Sequence, residues 1–207
     1  MQADNPAPGE ELNPGEPAEP RPAATVILLR AGDPLEVLLV QRNPEARFMG
    51  GAWVFPGGAV DRHEGEGDRA LRAAAVRELA EEAGITLDSP AALVPFSRWI
   101  TPAQVKTRFD TWFYLAMAPP GAGPSVDEHE IVQWRWYAPR AALAAARAGE
   151  IFLVFPTVKH LEQLSVFPSG DALLEHASGR QVLPVEPRVL MSGETARIVL
   201  PGEPGYD

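Results

Sequence analysis

The sequence of 207 residues contains no cysteine and only four histidines. The absence of cysteine excludes disulfide bonds, thiol nucleophiles and metal sites built from thiolates. The histidines are scattered, and none has a second histidine at ligand spacing, so a zinc site is not expected either. We predict that the histidines lie at the surface or in loops.

Long apolar runs and an excess of basic residues are also absent. No apolar segment approaches the ~20 residues that a membrane-spanning helix needs, and the first residues include Asp4, Glu10 and Glu11 instead of the basic start of a secretory signal. We therefore expect a cytoplasmic protein that does not bind membranes. The 18 basic and 28 acidic residues give a formal net charge of -10, which disfavours nucleic-acid binding. An anionic substrate would have to be held through metal ions and a few local arginines.

The composition predicts one domain that follows a leader. Residues 1–22 are rich in proline and glutamate and have almost no apolar side chains, so a disordered leader is expected. With 45% hydrophobic residues, residues 23–207 can bury one sizeable core and are predicted to form a single domain. Its part from about residue 184 is expected to be irregular or to form two short strands.

Segments that favour strands and helices alternate along the domain. Apolar and aromatic runs predict strands at residues 24–29, 36–40, 93–100, 107–116 and 131–137. A first helix is predicted to start at Asp68, as its N-cap, and to end at Gly84. Further helices are predicted from Pro139 to about Ala148 and around residues 158–164. This periodicity indicates an α/β or α+β fold.

The most informative segment is Arg-Glu-Leu-Ala-Glu-Glu-Ala-Gly-Ile at residues 77–85, which follows Phe-Pro-Gly-Gly at residues 55–58. Residues three and four apart share a helix face, so Glu78, Glu81 and Glu82 converge although like charges repel. Oxygen ligands of high negative charge suit a hard divalent ion such as Mg²⁺ or Mn²⁺. A Gly-Gly turn brings bare backbone close to whatever the helix binds. The alternative is an ordinary solvated helix face.

These residues resemble the motif of the Nudix hydrolases, which reads Gly, five residues, Glu, seven residues, then Arg-Glu, apolar, any, Glu-Glu, any, Gly, apolar. The second half matches at every position of residues 77–85. Five residues separate Gly58 from Glu64, as the motif requires, but twelve residues instead of seven separate Glu64 from Arg77. We attribute the difference to an insertion in the acidic loop 61–68. The candidates for the first glutamate of the motif are therefore Glu64, Glu66 and Asp68.

A second resemblance overlaps the first. A Leu-Leu-Val-Gln-Arg run that ends at Arg42 is followed by Arg47, Gly51 and Phe-Pro-Gly-Gly at the spacing that marks coenzyme A diphosphatases within the Nudix family. Val40 and Asn43 depart from that motif, which carries Thr and Ser or Ala at these positions. Two further segments are similar to parts of the peroxisomal coenzyme A diphosphatases and their bacterial relatives, namely residues 99–102 and 108–113.

The resemblance implies an α/β/α sandwich around a mixed β-sheet and a diphosphatase that depends on Mg²⁺ or Mn²⁺. Its most specific implication is hydrolysis of coenzyme A or acyl-coenzyme A to phosphopantetheine and adenosine 3′,5′-bisphosphate. ADP-ribose, a nucleoside diphosphate sugar or an oxidised nucleotide is an alternative substrate. An alternative of another class is a module that senses a nucleotide without cleaving it, although such a module has no electrostatic reason to keep three repelling glutamates. The sequence does not determine the oligomeric state, and a homodimer is one possibility.

The acidic helix supplies the predicted metal ligands and part of the predicted catalytic set. Glu78 and Glu82, one turn apart, are expected to bind the ion, with Glu81 at a second ion or a water and the carbonyl of Gly57 as a backbone ligand. By resemblance, Arg77 pairs with a glutamate and fixes its rotamer. The predicted catalytic residues on this helix are Glu78, Glu81 and Arg77.

A base that deprotonates water is expected from a later acidic loop, as in related enzymes. Glu130 is the first choice and Glu128 the second, in a loop that also contains Asp127. The alternative is that these residues are merely solvated.

The predicted substrate-binding residues precede the acidic helix. By resemblance, Arg42, Arg47 and Gly51 recognise the substrate, because a guanidinium can hold a phosphate with two parallel hydrogen bonds. Gly58, in the Gly-Gly turn, belongs to the same set. The alternative is a pair of surface arginines beside a hairpin.

Overall fold

A computed structural model of the protein describes residues 12, 13, 15–126, 128–192 and 195–206. The strands are β1 (Arg21–Arg30), β2 (Glu36–Arg42), β3 (Ala52–Val54), β4 (Gly57–Ala59), β5 (Val94–Ile100), β6 (Phe109–Met117), β7 (Ile131–Tyr137), β8 (Phe152–Leu153), β9 (Pro184–Val185), β10 (Arg188–Ser192) and β11 (Thr195–Val199). The helices are α1 (Gly67–Ala83), α2 (Pro139–Arg147), α3 (Phe155–Leu164) and α4 (Gly170–Ala177).

The main sheet is mixed and has the strand order β8-β3-β2-β1-β6-β5-β9, with β4 also paired to β1 and β7 also paired to β2. The central strand β1 runs antiparallel to β2 and β4 but parallel to β6. Strands β10 and β11 form a separate antiparallel hairpin. The predicted mixed sheet is therefore confirmed, and the predicted strands at residues 24–29, 36–40, 93–100, 107–116 and 131–137 correspond to β1, β2, β5, β6 and β7.

Both faces of the sheet are covered by helices. Strand β1 is apolar on both of its faces, and each face must be buried. Val26 and Leu28 pack with Leu79 of α1, whereas Ile27 and Leu29 face the opposite core with side chains from α2, α3 and α4. These four β1 residues are fully buried. A nearly continuous apolar run is typical of a strand buried on both faces. The predicted α/β/α sandwich is thereby confirmed.

Strand β4 was predicted as a turn. It pairs antiparallel with β1, with Gly58 opposite Ala24 and Gly57 opposite Thr25. A Cβ added to Gly57 would lie 2.5 Å from the carbonyl oxygen of Ala24 and from Oγ1 of Thr25. Glycine is disfavoured in strands in general, but here only a residue without a side chain allows the two backbones to approach this closely.

Helix α1 ends at the predicted residue but begins earlier than predicted. Gly84 is in the left-handed region, with φ 65°, and its N–H donates to the carbonyl of Ala80. At the other end Glu66, not Asp68, is the N-cap. The carboxylate of Asp68 is instead bound by Arg72, one turn further along the helix, at 2.6 Å.

The C-terminal part differs from its prediction. Helix α2 begins at Pro139 as predicted, and α3 begins three residues before residue 158. Helix α4 was not predicted; its signal is Ser169, whose hydroxyl accepts a hydrogen bond from the N–H of Ala172. From residue 184 three short strands follow where two were expected. None of the described helices combines the length and the hydropathy that a membrane span requires.

The described part of the predicted leader contacts the domain. Arg21 and Pro22 already belong to β1, the carbonyl of Ala18 accepts a hydrogen bond from Arg108, and Leu12 forms a β-bridge with Val105. An extended chain without apolar side chains can still offer its backbone carbonyls to a buried donor. Residues 1–11 and 14 lie outside the described residues.

The prediction that the histidines lie at the surface or in loops is wrong for His160. It lies in α3 and is fully buried, and the centroid of its ring is 4.1 Å from the centroid of the Phe113 ring. Its Nδ1 is 2.7 Å from the carbonyl of Pro156 and its Nε2 is 2.6 Å from Oγ of Ser97. Because a carbonyl only accepts, Nδ1 carries the hydrogen and Nε2 accepts from the hydroxyl. Burial lowers the pKa of His160 to about 4.

We expect the stability of the fold to decrease between about pH 6.5 and pH 4 because of His160. The unfolded chain takes up a proton on this ring near the ordinary pKa of 6.5, whereas the folded protein keeps the ring neutral down to about 4. The unfolded state therefore binds more protons in this window, and the free energy of unfolding falls with pH by on the order of 3 kcal/mol at its lower end. Chemical denaturation across this pH range measures the effect.

The exposed His176 provides a matched control. His160→Gln should flatten the pH dependence of the free energy of unfolding, and His176→Gln should leave it as in the parent. The assignment is wrong if the His160 variant keeps the full pH dependence.

Candidate active site

Arg77 is the centre of an ion-pair cluster on α1. Its Nε lies 3.0 Å from Oε1 of Glu64, and its Nη1 lies 2.8 Å from Oε1 of Glu78 and 2.9 Å from Oε2 of Glu81. Nη2 donates to the carbonyl of Ala59 in β4 at 3.1 Å. The hydrogen bonds, that to Glu64 first, raise the pKa of Arg77 well above its ordinary range. Arg77 thus joins the acidic helix to the strand and to the inserted loop.

Glu64 is the candidate for the first glutamate of the motif that lies in this cluster. Its side chain is 6% exposed, and its Oε2 accepts from the N–H of Asp61 at 2.7 Å. Burial acts to raise the pKa of Glu64, but the hydrogen bonds from Arg77 and Asp61 outweigh burial and hold the pKa below its ordinary value. By contrast, Glu66 is exposed and Asp68 pairs with another arginine. The insertion is therefore accommodated after Glu64.

Glu82 is the most deeply buried acid of the helix, with 4% of its surface exposed. Its Oε2 accepts a hydrogen bond from the N–H of Gly57 at 2.9 Å. Burial, with a smaller contribution from the charge of Glu78, raises the pKa of Glu82 to about 8 although the Gly57 N–H opposes the shift. The described contact of Gly57 is thus made by its amide, and the role of its carbonyl as a ligand stays a prediction.

Glu78 lies directly against the backbone of Gly58. A Cβ on Gly58 would be 2.3 Å from Oε1 of Glu78, so any larger residue would displace the carboxylate. Burial is the main cause that raises the pKa of Glu78, and the charges of Glu81 and Glu130 add to it against the opposing effect of Arg77. Glu81 differs from its neighbours because 60% of its side chain is exposed. It forms the outer edge of the cluster.

Arg42 and Glu130 close the other side of the site. Nη2 of Arg42 lies 3.2 Å from Oε1 of Glu130, and its Nη1 lies 3.9 Å from Oε1 of Glu82. Nε of Arg42 is buried without a hydrogen-bond partner among the described residues. The side chain of Glu130 is 60% exposed. Glu128 is exposed and has a left-handed backbone, with φ 62°, and Asp127 lies outside the described residues.

The structure does not bring two predicted substrate-binding residues into this site. Arg47 is exposed in the loop between β2 and β3, and it does not line the groove described below. Gly51 ends that loop with φ 76°, and its N–H donates to the carbonyl of Arg42 at 3.1 Å. The assignment of Arg47 and Gly51 to substrate binding therefore stays a prediction without a contact that supports it.

A groove of about 1310 Å³ opens beside the carboxylates. Arg42, Gly58, Glu78 and Glu130 line it where it meets the cluster. Its floor consists of alternate residues of β1 and β6, which share one face of the sheet. The floor residues are Arg21, Ala23, Thr25, Phe109, Thr111 and Phe113.

Several groove residues were not assigned from the sequence. Phe48 packs against Phe109 with 6.2 Å between the ring centroids, and both line the groove. The period-two spacing of Phe109, Thr111 and Phe113 could have identified the floor, since such residues lie on one face of a strand. The sequence holds no comparable signal for Phe48, which reaches the groove from the loop before β3.

The donor set fits a divalent ion, although it is not assembled as a ligand set. Within the described parts of the chain, no three acidic or histidine side chains stand together so that they could hold a metal ion, and Arg42 and Arg77 occupy the spaces between the carboxylates. Burial nevertheless raises the pKa of both Glu78 and Glu82, so the arginines compensate the negative charge only in part. An added hard cation would compensate the rest. Glu78 and Glu82 are the residues that could hold it, with Glu81 at the edge.

Comparison with known proteins identifies relatives of the chain. The family model for the NUDIX domain matches residues 19–155. A nudix hydrolase of Caenorhabditis elegans is 25% identical over 218 residues, which cover 89% of this chain and 74% of that protein. The acyl-coenzyme A diphosphatase NUDT19 of Homo sapiens is 25% identical over 271 residues, which cover 82% of this chain and 72% of that protein.

A solved structure agrees with the fold. The NUDIX hydrolase from Alicyclobacillus acidocaldarius is 26% identical and superimposes with a TM-score of 0.68, over 76% of this chain and 96% of that one. The mixed sheet and its covering helices thus belong to an architecture that the relatives share.

We expect Glu82→Gln to stabilise the metal-free protein at alkaline pH. A carboxyl whose pKa is raised in the fold, here from 4.5 to about 8, destabilises the fold as the pH rises through that interval, because the unfolded chain releases its proton first. The neutral amide removes this cost, and the free energy of unfolding should rise by on the order of 5 kcal/mol above about pH 8. Thermal unfolding in the presence of a chelator, at mildly acidic and at alkaline pH, measures the gain.

Glu81→Gln is the matched control because Glu81 lies on the same helix and is 60% exposed. It should leave the melting temperature nearly unchanged at both pH values. A lower melting temperature of the Glu82 variant under alkaline, metal-free conditions would contradict the uncompensated charge.

Proposed function

The chain belongs to the NUDIX domain family, whose model matches residues 19–155, and on that premise we propose that this hydrolase cleaves the diphosphate linkage of coenzyme A or acyl-coenzyme A. The products would be phosphopantetheine, with its acyl group where present, and adenosine 3′,5′-bisphosphate. The similarity to the human acyl-coenzyme A diphosphatase supports this substrate. The spacing of Arg42 and the Phe-Pro-Gly-Gly segment supports it as well.

The observation that carries the proposal is the position of the carboxylates at the groove, whose lining includes Glu78, Glu81 and Glu130. The volume of the groove, about 1310 Å³, exceeds the ~300 to 1,000 Å³ that is typical of pockets for small ligands. A long substrate with a diphosphate between two large groups would use such a groove. Glu78 and Gly58 would then meet the diphosphate while the floor of β1 and β6 holds one of the flanking groups.

Members of the family generally use divalent ions, and we propose Mg²⁺ or Mn²⁺ for this chain, held by Glu78 and Glu82 with Glu81 at a second ion or a water. When bound, such an ion polarises the diphosphate oxygens and lowers the pKa of a bound water. Arg77 would keep Glu78 and Glu81 in position, since it contacts both. The carbonyl of Gly57 stays available as a further oxygen ligand.

Arg42 would bind a phosphate group of the substrate, and Glu130 would accept the proton of the attacking water. The guanidinium of Arg42, which lines the groove, would donate to a phosphate oxygen, and that phosphate would compete with Glu130, whose Oε1 lies 3.2 Å from Nη2. Glu130 would then accept a proton from the attacking water. Water oxygen forms the new bond to one phosphorus, and the bridging oxygen departs with the other phosphate.

Product analysis on a substrate panel tests the proposal. With Mg²⁺ or Mn²⁺ present, the parent protein should convert coenzyme A and acyl-coenzyme A to the two named products, as identified by mass spectrometry, and a chelator should abolish turnover. Glu130→Gln should lower kcat by about 10² to 10⁴, the usual contribution of a general base. Glu78→Gln and Glu82→Gln should lower it further, because each would remove an ionic ligand.

Glu162→Gln is the control, because Glu162 lines the groove but pairs with Lys159 at 3.0 Å; it should retain activity. If ADP-ribose, a nucleoside diphosphate sugar or an oxidised nucleotide is cleaved while coenzyme A stays intact, the substrate is misassigned. If ligands bind but none is cleaved, the chain is a sensor. A Glu82 variant as active as the parent would mean that the site is misplaced.

A further inference from the structure

Arg108 is a buried arginine outside the carboxylate cluster, and 8% of its surface is exposed. Its guanidinium donates to three segments that are distant in sequence. Nε donates to the carbonyl of Thr101 at 3.0 Å, Nη1 to the carbonyl of Ala18 at 2.8 Å, and Nη2 to Oε1 of Glu186 at 2.6 Å. The fork of the guanidinium, which offers several fixed donors, makes this threefold contact feasible.

Arg108 also lies at the end of the loop between β5 and β6, which hydrogen bonds between Thr101 and Phe109 close. The N–H of Thr101 donates to the carbonyl of Phe109 at 2.9 Å, and the N–H of Phe109 donates to Oγ1 of Thr101 at 3.0 Å. The carbonyl of Arg108 accepts from the N–H of Arg21, the first residue of β1, at 2.9 Å. These contacts account for the pairing of the two segments, residues 99–102 and 108–113, that the sequence analysis singled out.

The three segments held by Arg108 form a wall of the groove. The loop contributes Thr101, Pro102, Val105 and Thr107 to the lining. The segment before β1 contributes Leu12, and the chain after Glu186 contributes Pro187 and Val189. Arg108 itself is not among the lining residues that the structure describes. It would therefore act on a substrate only through the wall that it supports.

The wall stands at a distance from the carboxylates. Along β1, Ala24 pairs with Gly58, whereas Arg21 pairs with Phe109 at the end of the loop. Three residues of a strand span about 10 Å. A diphosphate beside Gly58 would not touch the wall, but an arm of a longer substrate that follows the groove would reach it.

We propose that Arg108 is a positioning residue for substrate specificity, which holds the loop 101–107, the segment around Ala18 and the chain at Glu186 together as a wall that binds an extended arm of the substrate. The enzymatic part of this inference rests on the proposed function. The wall itself depends only on the contacts of Arg108. Loss of those contacts should weaken binding of the arm and leave the chemical step at the carboxylates intact.

Kinetics of Arg108→Met on a long and a short substrate test the proposal. Coenzyme A carries the pantetheine arm, and the methyl ester of 3′-phosphoadenosine 5′-diphosphate lacks it but keeps the 3′-phosphate. We expect KM for coenzyme A to rise about tenfold with kcat within about twofold of the parent, because the wall contributes binding and not chemistry. Arg108→Lys keeps the charge but not the fork, so it should fail to restore KM.

Arg98→Met is the matched control. Arg98 lies on β5, pairs with Asp110 through two hydrogen bonds of 2.8 and 2.6 Å, and does not line the groove. It should leave both KM values unchanged. If KM of the Arg108 variant rises for coenzyme A alone, the arm at the wall is pantetheine; if KM rises for both substrates, the arm is the nucleoside. Unchanged KM values, or a fall in kcat alone, would overturn the proposal.

Two further measurements keep the wall testable on its own. Amide hydrogen exchange of residues 101–107 should accelerate in Arg108→Met but not in Arg98→Met, and the Kd of coenzyme A from calorimetry should rise about tenfold. If the parent cleaves neither substrate, the proposed function fails. If Arg108→Met changes neither the hydrogen exchange of residues 101–107 nor the Kd of coenzyme A, the proposed role of Arg108 in the wall is wrong as well. Should Arg108→Met not fold, Glu186→Gln, which removes one charged partner, should shift exchange and KM in the same direction by about threefold.

Discussion

The site depends on one physical constraint, which is that two acids of α1, the buried Glu82 and the partly buried Glu78, pack against two glycines of β4. Glu78 occupies the space where Gly58 would carry a Cβ, and Glu82 is held by the N–H of Gly57. Close packing places the carboxylates, and their burial makes their charge costly. Arg77 and Arg42 compensate that charge only in part, since the pKa of both Glu78 and Glu82 stays raised. The charge that is left uncompensated lowers the stability of the fold at this place.

The same glycines connect this cluster to the groove. Ala24, opposite Gly58, packs beneath α1, whereas its neighbours Ala23 and Thr25 line the groove on the other face. Because β4 carries no side chains at Gly57 and Gly58, carboxylates from the helix can meet a substrate that lies on the floor of β1 and β6. The sheet therefore acts as the common support of the carboxylate cluster and of the groove floor. Arg108, at the far end of that floor, organises the remaining wall from three distant parts of the chain.

The buried polar groups are satisfied in two different ways. His160 and Arg108 have hydrogen-bond partners for their polar atoms from the surrounding chain, as a buried polar group in a stable core requires. Around Arg42 and Glu82 the partners are incomplete, since Nε of Arg42 has none among the described residues and Glu82 keeps a raised pKa. This contrast separates buried polar residues that are hydrogen-bonded within the fold from residues of the candidate site, whose partners are incomplete.

What the sequence determined by itself is local. Helix and strand periodicity predicts the shared face of Glu78, Glu81 and Glu82, the end of α1 at Gly84 and the apolar run of β1, and these features indicate an acidic site in an α/β or α+β fold. The sandwich itself is implied by the resemblance to the Nudix hydrolases and not by periodicity. Only the tertiary structure decided which acid of the loop contacts Arg77. Glu64, which precedes the insertion, reaches Arg77 because the turn at residues 61–64 folds the loop back onto the helix. The tertiary structure also separated Arg42 from Arg47, buried His160 and joined Arg108 to Ala18 and Glu186. Such contacts connect residues far apart in the chain, and periodicity carries no information about which distant partners a fold brings together.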